Sequence, residues 1–499
     1  MTELLPIAIL LAVIGLVIWR LPKIDLGHSD AFRMRRFLNW FPLGMTYAFL
    51  YMGRYNLTVS QGAIVEIPGP GGDPLMGNAD FGTIFGIGTA VYGISFLLNG
   101  PLTDRFGGKA AMLVGASGAA LMNLLMGVCT ITIAGGDVDG FVGQNFVLVF
   151  SALYGANMYF QSFGAVAIVK VNAPWFHVRE RGVFGAIFGV LISLGIYFAF
   201  DVGGKIVDHL PLEWVFLMPA LLLGVFLTID IFVVQTSPSR AGHTDFDTAD
   251  ASSGDDGPQL GAVRVLKLML RNPIIMTIAC IEFCSGFLRQ AIMQWYRAFA
   301  KQTDAVLHEA DGFVYDNWGM LLCVAGILGG TLAGVISDRV FQSRRGPVAG
   351  ILYMAMLAGA VVMTFTYATP IVGWLVIVMS MAVIGVHGML SGTASMDFGG
   401  RKNVGIAVGI IDGFVYAGTA VMSFTYAIVL PKVQTDEATG AIIGPATDPA
   451  NWIAWPVAMI PLALIGMLLA LRVWNAKPQP KTKAADAEDK KRADREAAE

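Results

Sequence analysis

About a dozen apolar runs, each close to 20 residues long, restrict what this chain can fold into. A helix needs ~20 largely apolar residues to cross a bilayer. Only helices and closed barrels satisfy all backbone polar groups in lipid, and continuous apolar runs exclude the alternating pattern of barrel strands. The chain is 14% charged, whereas soluble domains carry ~25% charged residues. The sequence therefore predicts an all-α polytopic membrane protein embedded in a lipid bilayer.

The apolar runs form two sets of six, separated by a polar linker that ends in an amphipathic stretch at 263–271. The predicted spans are 37–62, 80–101, 109–134, 144–170, 182–204, 213–234, 273–297, 316–337, 347–368, 371–394, 404–430 and 452–474. The predicted units are an N-terminal segment 1–36, a six-helix bundle 37–234, a linker 235–272, a second six-helix bundle 273–474 and a charged tail 475–499.

Residues 4–19 form an additional apolar run ahead of the first bundle. A signal peptide begins with basic residues, but here Glu3 precedes the run, and Arg20 and Lys23 follow it. We therefore expect an extra, uncleaved helix with its N-terminus outside. Its short length also suits a helix that lies on the membrane surface.

Lysine and arginine clusters fall on alternate loops, which predicts the orientation of the chain. The side opposite these clusters holds only Lys205, Arg297, Lys301 and Lys432. The linker and the C-terminus should therefore be cytoplasmic, in a bacterial cytoplasmic (inner) membrane. The clusters lie near 33–36, 105–109, 170–181, 264–271, 339–345 and 401–402, and in the tail.

Each half-chain carries an arginine inside its first predicted span, followed by a Gly…(Ser/Thr)-Asp-Arg loop. Asp104 comes 50 residues after Arg54, and Asp338 comes 49 residues after Arg289. This duplicated plan resembles the major facilitator superfamily. The resemblance implies two pseudo-symmetric bundles with a substrate site near the membrane midplane between them, where the two arginines face each other. It also implies rocker-switch alternating access.

The two loops are expected to gate the conformational change rather than to select the substrate. Their residues are Asp104 and Arg105 in the first half, and Asp338 and Arg339 in the second.

The two arginines predict a small anionic substrate. Ionisable residues inside a membrane usually face a cavity and mark a pathway, although a structural arginine that bridges helices through carbonyls is the alternative. Two guanidinium groups with few carboxylates nearby favour the paired hydrogen bonds that bind phosphate or carboxylate. We therefore predict that Arg54 and Arg289 bind the anion.

Beyond the superfamily, the chain resembles the organophosphate:phosphate antiporter family. The matching positions are Tyr47, Tyr51, Arg54, Asn56, Tyr92, Gln161, Lys170, Glu180 to Gly182, Leu288, Arg289, Trp295, Ser337 to Phe341, and Gly413 to Gly418. The resemblance implies exchange of a sugar- or glycerol-phosphate for inorganic phosphate. It implies that the two arginines bind the phosphoryl group and that Tyr47, Tyr51, Tyr92 and Tyr416 line the pocket.

Five positions depart from that family, and three of them replace a positive or basic group by a neutral one. They are Tyr55 and Phe96 in place of lysines, Ile192 in place of a histidine, Gln294 in place of an aspartate, and Gly286 in place of a tyrosine. A doubly charged phosphate would be held less strongly, so a singly charged or differently shaped anion remains an alternative.

Other polar residues inside the spans are candidates for the pocket or for coupling. Glu282 lies two turns before Arg289 on one helix face, so it could pair with the arginine or bind protons. Asp412 lies one turn from Tyr416 and is expected to face the cavity. His387 could be a packed neutral histidine or a ligand. Asn157 lies one turn before Gln161, a predicted substrate-binding residue, and extends a polar stripe towards the cavity. Gln294 is a further candidate for the pocket or for coupling.

The sequence predicts a monomeric transporter rather than an enzyme, without a cofactor, a metal site or a nucleic-acid partner. It has no G-x-x-x-x-G-K-[ST] loop for ATP, and its four cysteines lack metal-ligand spacing. Two alternatives remain open. One is a proton-coupled transporter of another organic anion that uses Glu282 or Asp412, and the other is a membrane sensor of sugar phosphate.

Overall fold

The computed structural model describes residues 8, 11, 12, 15, 19, 27–70, 73–177, 181–246, 262–308, 310, 312–341, 344–390, 404–436 and 441–475. The five described residues before position 20 are helical, in agreement with an extra helix at 4–19. The remainder of that helix, part of the linker and the tail from residue 476 lie outside the described residues.

The helices follow the two predicted sets of six spans. The first set is α1 (Asp30–Val65), α2 (Asn78–Phe106), α3 (Gly108–Ala134), α4 (Phe146–Asn172), α5 (Arg181–Tyr197) and α6 (Trp214–Val233). The second set is α7 (Pro273–Gln302), α8 (Trp318–Arg339), α9 (Arg345–Thr366), α10 (Val372–His387), α11 (Val404–Val429) and α12 (Ala454–Arg472). Within the described ranges, nine helices are long and apolar enough to cross a membrane.

Shorter elements connect these helices. A π-helical turn (Phe198–Val202) and a further helix (Gly203–His209) extend α5, and the amphipathic linker helix is Ala262–Leu270. The strands β1 (Gln434–Thr435) and β2 (Ile442–Ile443) form an antiparallel hairpin between α11 and α12. Single turns of helix lie at Phe141–Gln144, Ala173–Trp175, Ser239–Ala241, Asp304–Leu307, Phe313–Asp316, Gly444–Thr447 and Pro449–Trp452.

Side-chain caps define the start of the first helix in each set. The Ser29 side chain accepts a hydrogen bond from the backbone N–H of Phe32 at the start of α1. The Asn272 side chain accepts from Ile274 and Ile275 at the start of α7, where Pro273 occupies the first helical position. Such caps satisfy backbone donors that have no partner within the helix.

Glycines let α7 and α11 pack with their backbones in direct contact. A Cβ atom at Gly286 of α7 would lie 1.9 Å from the carbonyl oxygen of Val415 in α11. Reciprocally, a Cβ atom at Gly418 of α11 would lie 2.0 Å from the carbonyl oxygen of Phe283 in α7. This close approach gives a physical reason for a glycine at position 286, where the resembling family has a tyrosine.

The two sets of helices meet along three helix pairs, α1 with α7, α2 with α11, and α5 with α8. Gly82 of α2 faces Ala427 of α11, and further along the same helix Gly93 faces the Gly413 backbone. Beside the α5–α8 contact, Asp201 of the π-helical turn accepts hydrogen bonds from the first backbone N–H groups of α8. The helices α1, α2, α7 and α11 thus meet across the two sets, and they carry most of the predicted site residues.

Candidate functional site

Arg54 lies at the centre of the candidate site and is 1% exposed. Its Nε donates to Gln161 Oε1 at 3.0 Å, its Nη1 to the Tyr416 hydroxyl at 3.0 Å, and its Nη2 to the Tyr92 hydroxyl at 2.8 Å. These partners come from α4, α11 and α2 and are all uncharged. Within the described residues, no carboxylate pairs with this buried positive charge.

Aromatic rings enclose the Arg54 guanidinium. Its carbon lies 4.4 Å from the Tyr51 ring centroid and 4.5 Å from the Tyr92 ring centroid. The Tyr92 and Tyr416 rings lie 4.2 Å apart, and Tyr47 contacts Tyr51 at 5.4 Å. A cation over an aromatic face gains electrostatic energy when both are desolvated. The four predicted tyrosines and Gln161 thus converge on Arg54.

A polar network behind Arg54 fixes the α1 backbone. The Tyr154 hydroxyl donates to the Arg54 carbonyl at 2.7 Å, and Asn157 Nδ2 donates to the Gly53 carbonyl at 2.9 Å. Asn123 Nδ2 donates to Asn157 Oδ1 at 3.1 Å. A Cβ at Gly53 would lie 2.8 Å from Asn123 Nδ2, so the glycine makes room for the network. Asn157 therefore supports the site from behind.

Sequence reasoning missed Tyr154 and Asn123. Each is a buried polar group within an apolar run, and that was the signal available. Buried polar groups require hydrogen-bond partners, so such residues mark the face of a helix that contacts other polar groups. Asn123 also accepts from Asn56 Nδ2, which ties α3 to α1.

Arg289 lies on α7 and is bonded quite differently from Arg54. It is half-buried, and its Nε is buried without a hydrogen-bond partner among the described residues. Tyr51 and Tyr416 interact electrostatically with the guanidinium groups of both arginines. The two arginines therefore lie near the same part of the site. Arg289 thus has a donor, its Nε, that none of the described residues accepts from.

Glutamines next to Arg289 join α7 to α1. Gln290 Nε2 donates to the Tyr55 hydroxyl at 3.2 Å, and Gln294 Nε2 donates to Gln290 Oε1 at 2.7 Å. Gln294 Oε1 also accepts from the Thr58 hydroxyl of α1. Gln294 therefore contributes to the contact between the two helix sets.

Glu282 pairs with His387 of α10 rather than with Arg289. Its Oε2 lies 2.8 Å from His387 Nδ1, and no ion pair joins it to Arg289 within the described residues. His387 thus contacts the carboxylate through its imidazole. Asp412 is half-buried on α11, one turn from Tyr416.

The two loops that the sequence predicts to gate the conformational change lie at helix ends. Arg105 and Arg339 are exposed in the last turns of α2 and α8. The side chains of Asp104 and Asp338 lie outside the described part of the chain. In the second loop, Arg345 Nη1 donates to the Ser337 hydroxyl at 2.8 Å. No cluster of histidine, cysteine or carboxylate residues suited to a metal ion occurs among the described residues.

The fold and this site define a polytopic membrane transport protein, with a polar, cationic centre between two six-helix sets. The family model described as Major Facilitator Superfamily matches residues 43–423. The chain belongs to the major facilitator superfamily, a family of transporters rather than enzymes.

Two curated relatives span most of the chain. The Glycerol-3-phosphate transporter of Bacillus subtilis (strain 168) is 24% identical, over 79% of this chain and 84% of that protein. The Probable hexose phosphate transport protein of Chlamydia pneumoniae is 22% identical, over 89% of this chain and 91% of that protein.

A solved structure shows the same fold. It is a bacterial homolog of the human lysosomal transporter Spinster, in an inward-facing and unoccupied conformation. The TM-score is 0.65 at 11% identity, with 91% of this chain and 100% of that chain covered.

Proposed function

We propose that this protein exchanges an organophosphate, such as a sugar- or glycerol-phosphate, for inorganic phosphate across a bacterial cytoplasmic membrane. The buried Arg54 guanidinium, whose hydrogen-bond partners among the described residues are all uncharged, carries this proposal. A buried cation is stabilised most strongly by a ligand that carries a negative charge. The oxygens of a phosphoryl group match the forked N–H donors of the guanidinium. The names of the Bacillus subtilis and Chlamydia pneumoniae relatives support this class of substrate.

Binding would begin with an exchange of partners at Arg54. Phosphoryl oxygens would replace the Tyr416 and Tyr92 hydroxyls as the hydrogen-bond acceptors of the two Nη atoms. Those hydroxyls would then be able to donate to the phosphoryl oxygens. Arg289, whose Nε has no hydrogen-bond partner among the described residues, would supply the second guanidinium.

This partner exchange would couple occupancy to the movement of the bundles. Tyr416 belongs to the second helix set, whereas Arg54 belongs to the first, so their hydrogen bond crosses between the sets. An anion between the two arginines would also neutralise their mutual repulsion and let the bundles close. An empty carrier would reorient poorly, and obligatory exchange would follow.

The lost positive groups should set the strength of binding. Phe96 contacts Tyr92 at 4.9 Å, and the Tyr55 hydroxyl accepts from Gln290, so neutral groups occupy positions where the resembling family has lysines. Two arginines alone should hold a dianion less tightly than two arginines with an added lysine. A moderate affinity for phosphate esters is therefore expected.

The protein would act as a monomer. Its linker and C-terminus would be cytoplasmic, as the loop charges favour. Its extra N-terminal helix would begin outside. The loops that carry Asp104, Arg105, Asp338 and Arg339 would gate the cytoplasmic side.

Counterflow in liposomes tests the proposal directly. Purified protein is reconstituted into vesicles that are either loaded with phosphate or empty, and uptake of labelled phosphate is followed. Uptake into loaded vesicles alone is expected, with sugar- and glycerol-phosphates as competitors. Binding of phosphate without flux would favour a sensor, and uptake that needs a pH gradient but no internal phosphate would favour proton symport.

Lysine substitutions test the arginine pair. Arg54→Lys and Arg289→Lys should each abolish exchange, because an ammonium group cannot bind a phosphoryl group with two parallel hydrogen bonds. Arg240→Lys, in the exposed linker, serves as the matched control and should retain wild-type rates. Exchange in both single site variants would refute anion binding by the pair.

A further inference from the structure

An apolar groove, which we call the seam groove, lies where α2 of the first helix set meets α11 of the second. Its volume is about 390 Å³, and the amphipathic linker helix Ala262–Leu270 forms its third side. Every residue that lines it is apolar or a glycine. Ile94 and Leu97 of α2 border the groove and are exposed, so it opens towards the surrounding membrane. An ordered water molecule needs about two to four polar partners, so an apolar chain suits this space and water does not.

The linker helix presents an apolar face to the seam groove and a basic face away from it. Leu266 and Leu270, four residues apart on one face, line the groove. Arg264 and Lys267 are exposed, as is Arg271 in the turn that follows, and their spacing of three and four residues places them on the opposite face. An amphipathic helix of this kind lies in the membrane interface, with its apolar face towards the acyl chains and its basic face towards the headgroups.

The charge around the linker helix is positive. The sequence has no aspartate or glutamate from residue 257 to residue 281. Neither Lys267 nor Arg271 forms an ion pair with another described residue. Basic residues next to a membrane helix attract anionic lipid headgroups, and the loop charges favour the cytoplasmic side for this helix. The headgroup that complements this surface is therefore anionic rather than zwitterionic.

The seam groove adjoins the contact between the two helix sets. A Cβ atom at Gly93 of α2 would lie 3.2 Å from the Gly413 carbonyl oxygen and 3.2 Å from Tyr416 Cβ in α11. All three helices that line the groove are thus in contact, because the linker helix also packs against α11. A ligand in the groove touches both sets, so it favours the conformation in which they meet here.

We propose that the seam groove binds one anionic phospholipid of the cytoplasmic leaflet. An acyl chain lies between α2 and α11 against Leu266 and Leu270, and the headgroup phosphate accepts hydrogen bonds from Lys267 and Arg271. The bound lipid holds the linker helix against α11. This site goes beyond the proposed exchange and does not depend on it.

Lipid binding in detergent tests the proposal with three probes. Delipidated full-length protein is titrated with phosphatidylglycerol, with phosphatidylcholine, and with glycerophosphoglycerol, which carries the anionic headgroup without acyl chains. Thermal unfolding reports binding, because a ligand of the folded state raises the midpoint, and native mass spectrometry counts the bound molecules. One phosphatidylglycerol should bind on the order of tenfold more tightly than phosphatidylcholine, and glycerophosphoglycerol should leave the midpoint unchanged.

Removal of the basic groups tests the headgroup contact. The double substitution Lys267→Gln and Arg271→Gln should weaken phosphatidylglycerol binding on the order of tenfold, to the level of phosphatidylcholine. The matched control is Lys205→Gln with Lys432→Gln, two exposed lysines on the opposite side of the membrane by the loop charges, and it should keep wild-type affinity. Unchanged affinity in the first double variant would overturn the proposal.

A larger side chain in the seam groove tests the acyl-chain contact. Ala417 of α11 lines the groove, and Ala417→Leu should abolish the tight site. Ala355→Leu, at an exposed alanine of α9, is the matched control and should bind one phosphatidylglycerol as the wild type does.

The wild type alone can overturn the proposal, even if a variant fails to fold. Equal affinity for phosphatidylglycerol and phosphatidylcholine would do so, and so would a midpoint raised equally by glycerophosphoglycerol. A dimer that is lost in Ala417→Leu, with no lipid bound in the wild type, would assign the seam groove to a second copy of the chain. Lipid binding as expected in a protein that exchanges no phosphate would refute the proposed function alone.

Discussion

Substitution of Gly418 by alanine should disrupt the contact that holds α11 against α7. The added Cβ would lie 2.0 Å from the Phe283 carbonyl oxygen, and ordinary van der Waals contact begins at 3.4 Å. The two backbones must therefore separate by more than 1 Å, because the helix fixes the orientation of the Phe283 carbonyl group. Overpacking of this kind costs about 1–3 kcal/mol of the free energy of unfolding.

The same displacement should impair transport, because α11 carries Tyr416 and α7 carries Arg289. We expect Gly418→Ala to lower the midpoint of thermal unfolding in detergent and to reduce phosphate exchange in liposomes at least tenfold. Displacement of a catalytic or binding group by ~1 Å commonly has an effect of that size.

Gly330→Ala provides the matched control. Gly330 is a helical glycine of α8 with open space where its Cβ would be, so alanine should leave stability unchanged or raise it by about 0.5–1 kcal/mol. Wild-type stability and exchange in Gly418→Ala would refute the packing argument, and so would equal losses in both variants.

Three further substitutions test other contacts. Gln161→Leu removes the partner of Arg54 Nε and leaves a buried donor unsatisfied. The free energy of unfolding, measured by thermal unfolding, should therefore fall by about 1–3 kcal/mol, and exchange should fall more than tenfold. Asp201→Asn weakens a charge-assisted contact with the first backbone N–H groups of α8, so the spacing between α5 and α8, measured with spin labels, should increase. Glu66→Gln breaks a half-exposed ion pair with Lys301 and should change the free energy of unfolding by less than ~1 kcal/mol. A larger loss would show that this pair holds the helix sets together.

The membrane helices could be predicted closely because their signal is local. The predicted span 109–134 corresponds to the helix Gly108–Ala134. The predicted span 273–297 corresponds to the longer helix Pro273–Gln302. The fifth span was less regular than predicted, because the π-helical turn Phe198–Val202 interrupts it. That turn carries Asp201 to the start of α8, an arrangement that hydropathy does not encode.

The candidate site was predicted in part. Arg54, Tyr92, Gln161 and Tyr416 were chosen from the sequence and the family resemblance, and the structure brings them into direct contact. Their roles in binding remain predictions. For Glu282, helical spacing favoured a pair with Arg289, but the side chain meets α10 instead.

The sequence by itself determined that this chain crosses a membrane in two sets of helices and carries an arginine in the first helix of each set. Apolar length and the cost of a buried charge act within one segment, so they can be read without a fold. Only the tertiary structure decided that Arg54 receives uncharged partners from three other helices, while the Nε of Arg289 receives none among the described residues. The pairing of Glu282 with His387 was decided in the same way. These partners depend on which helix faces meet, and that follows from backbone contacts such as those of Gly286 and Gly418 between α7 and α11.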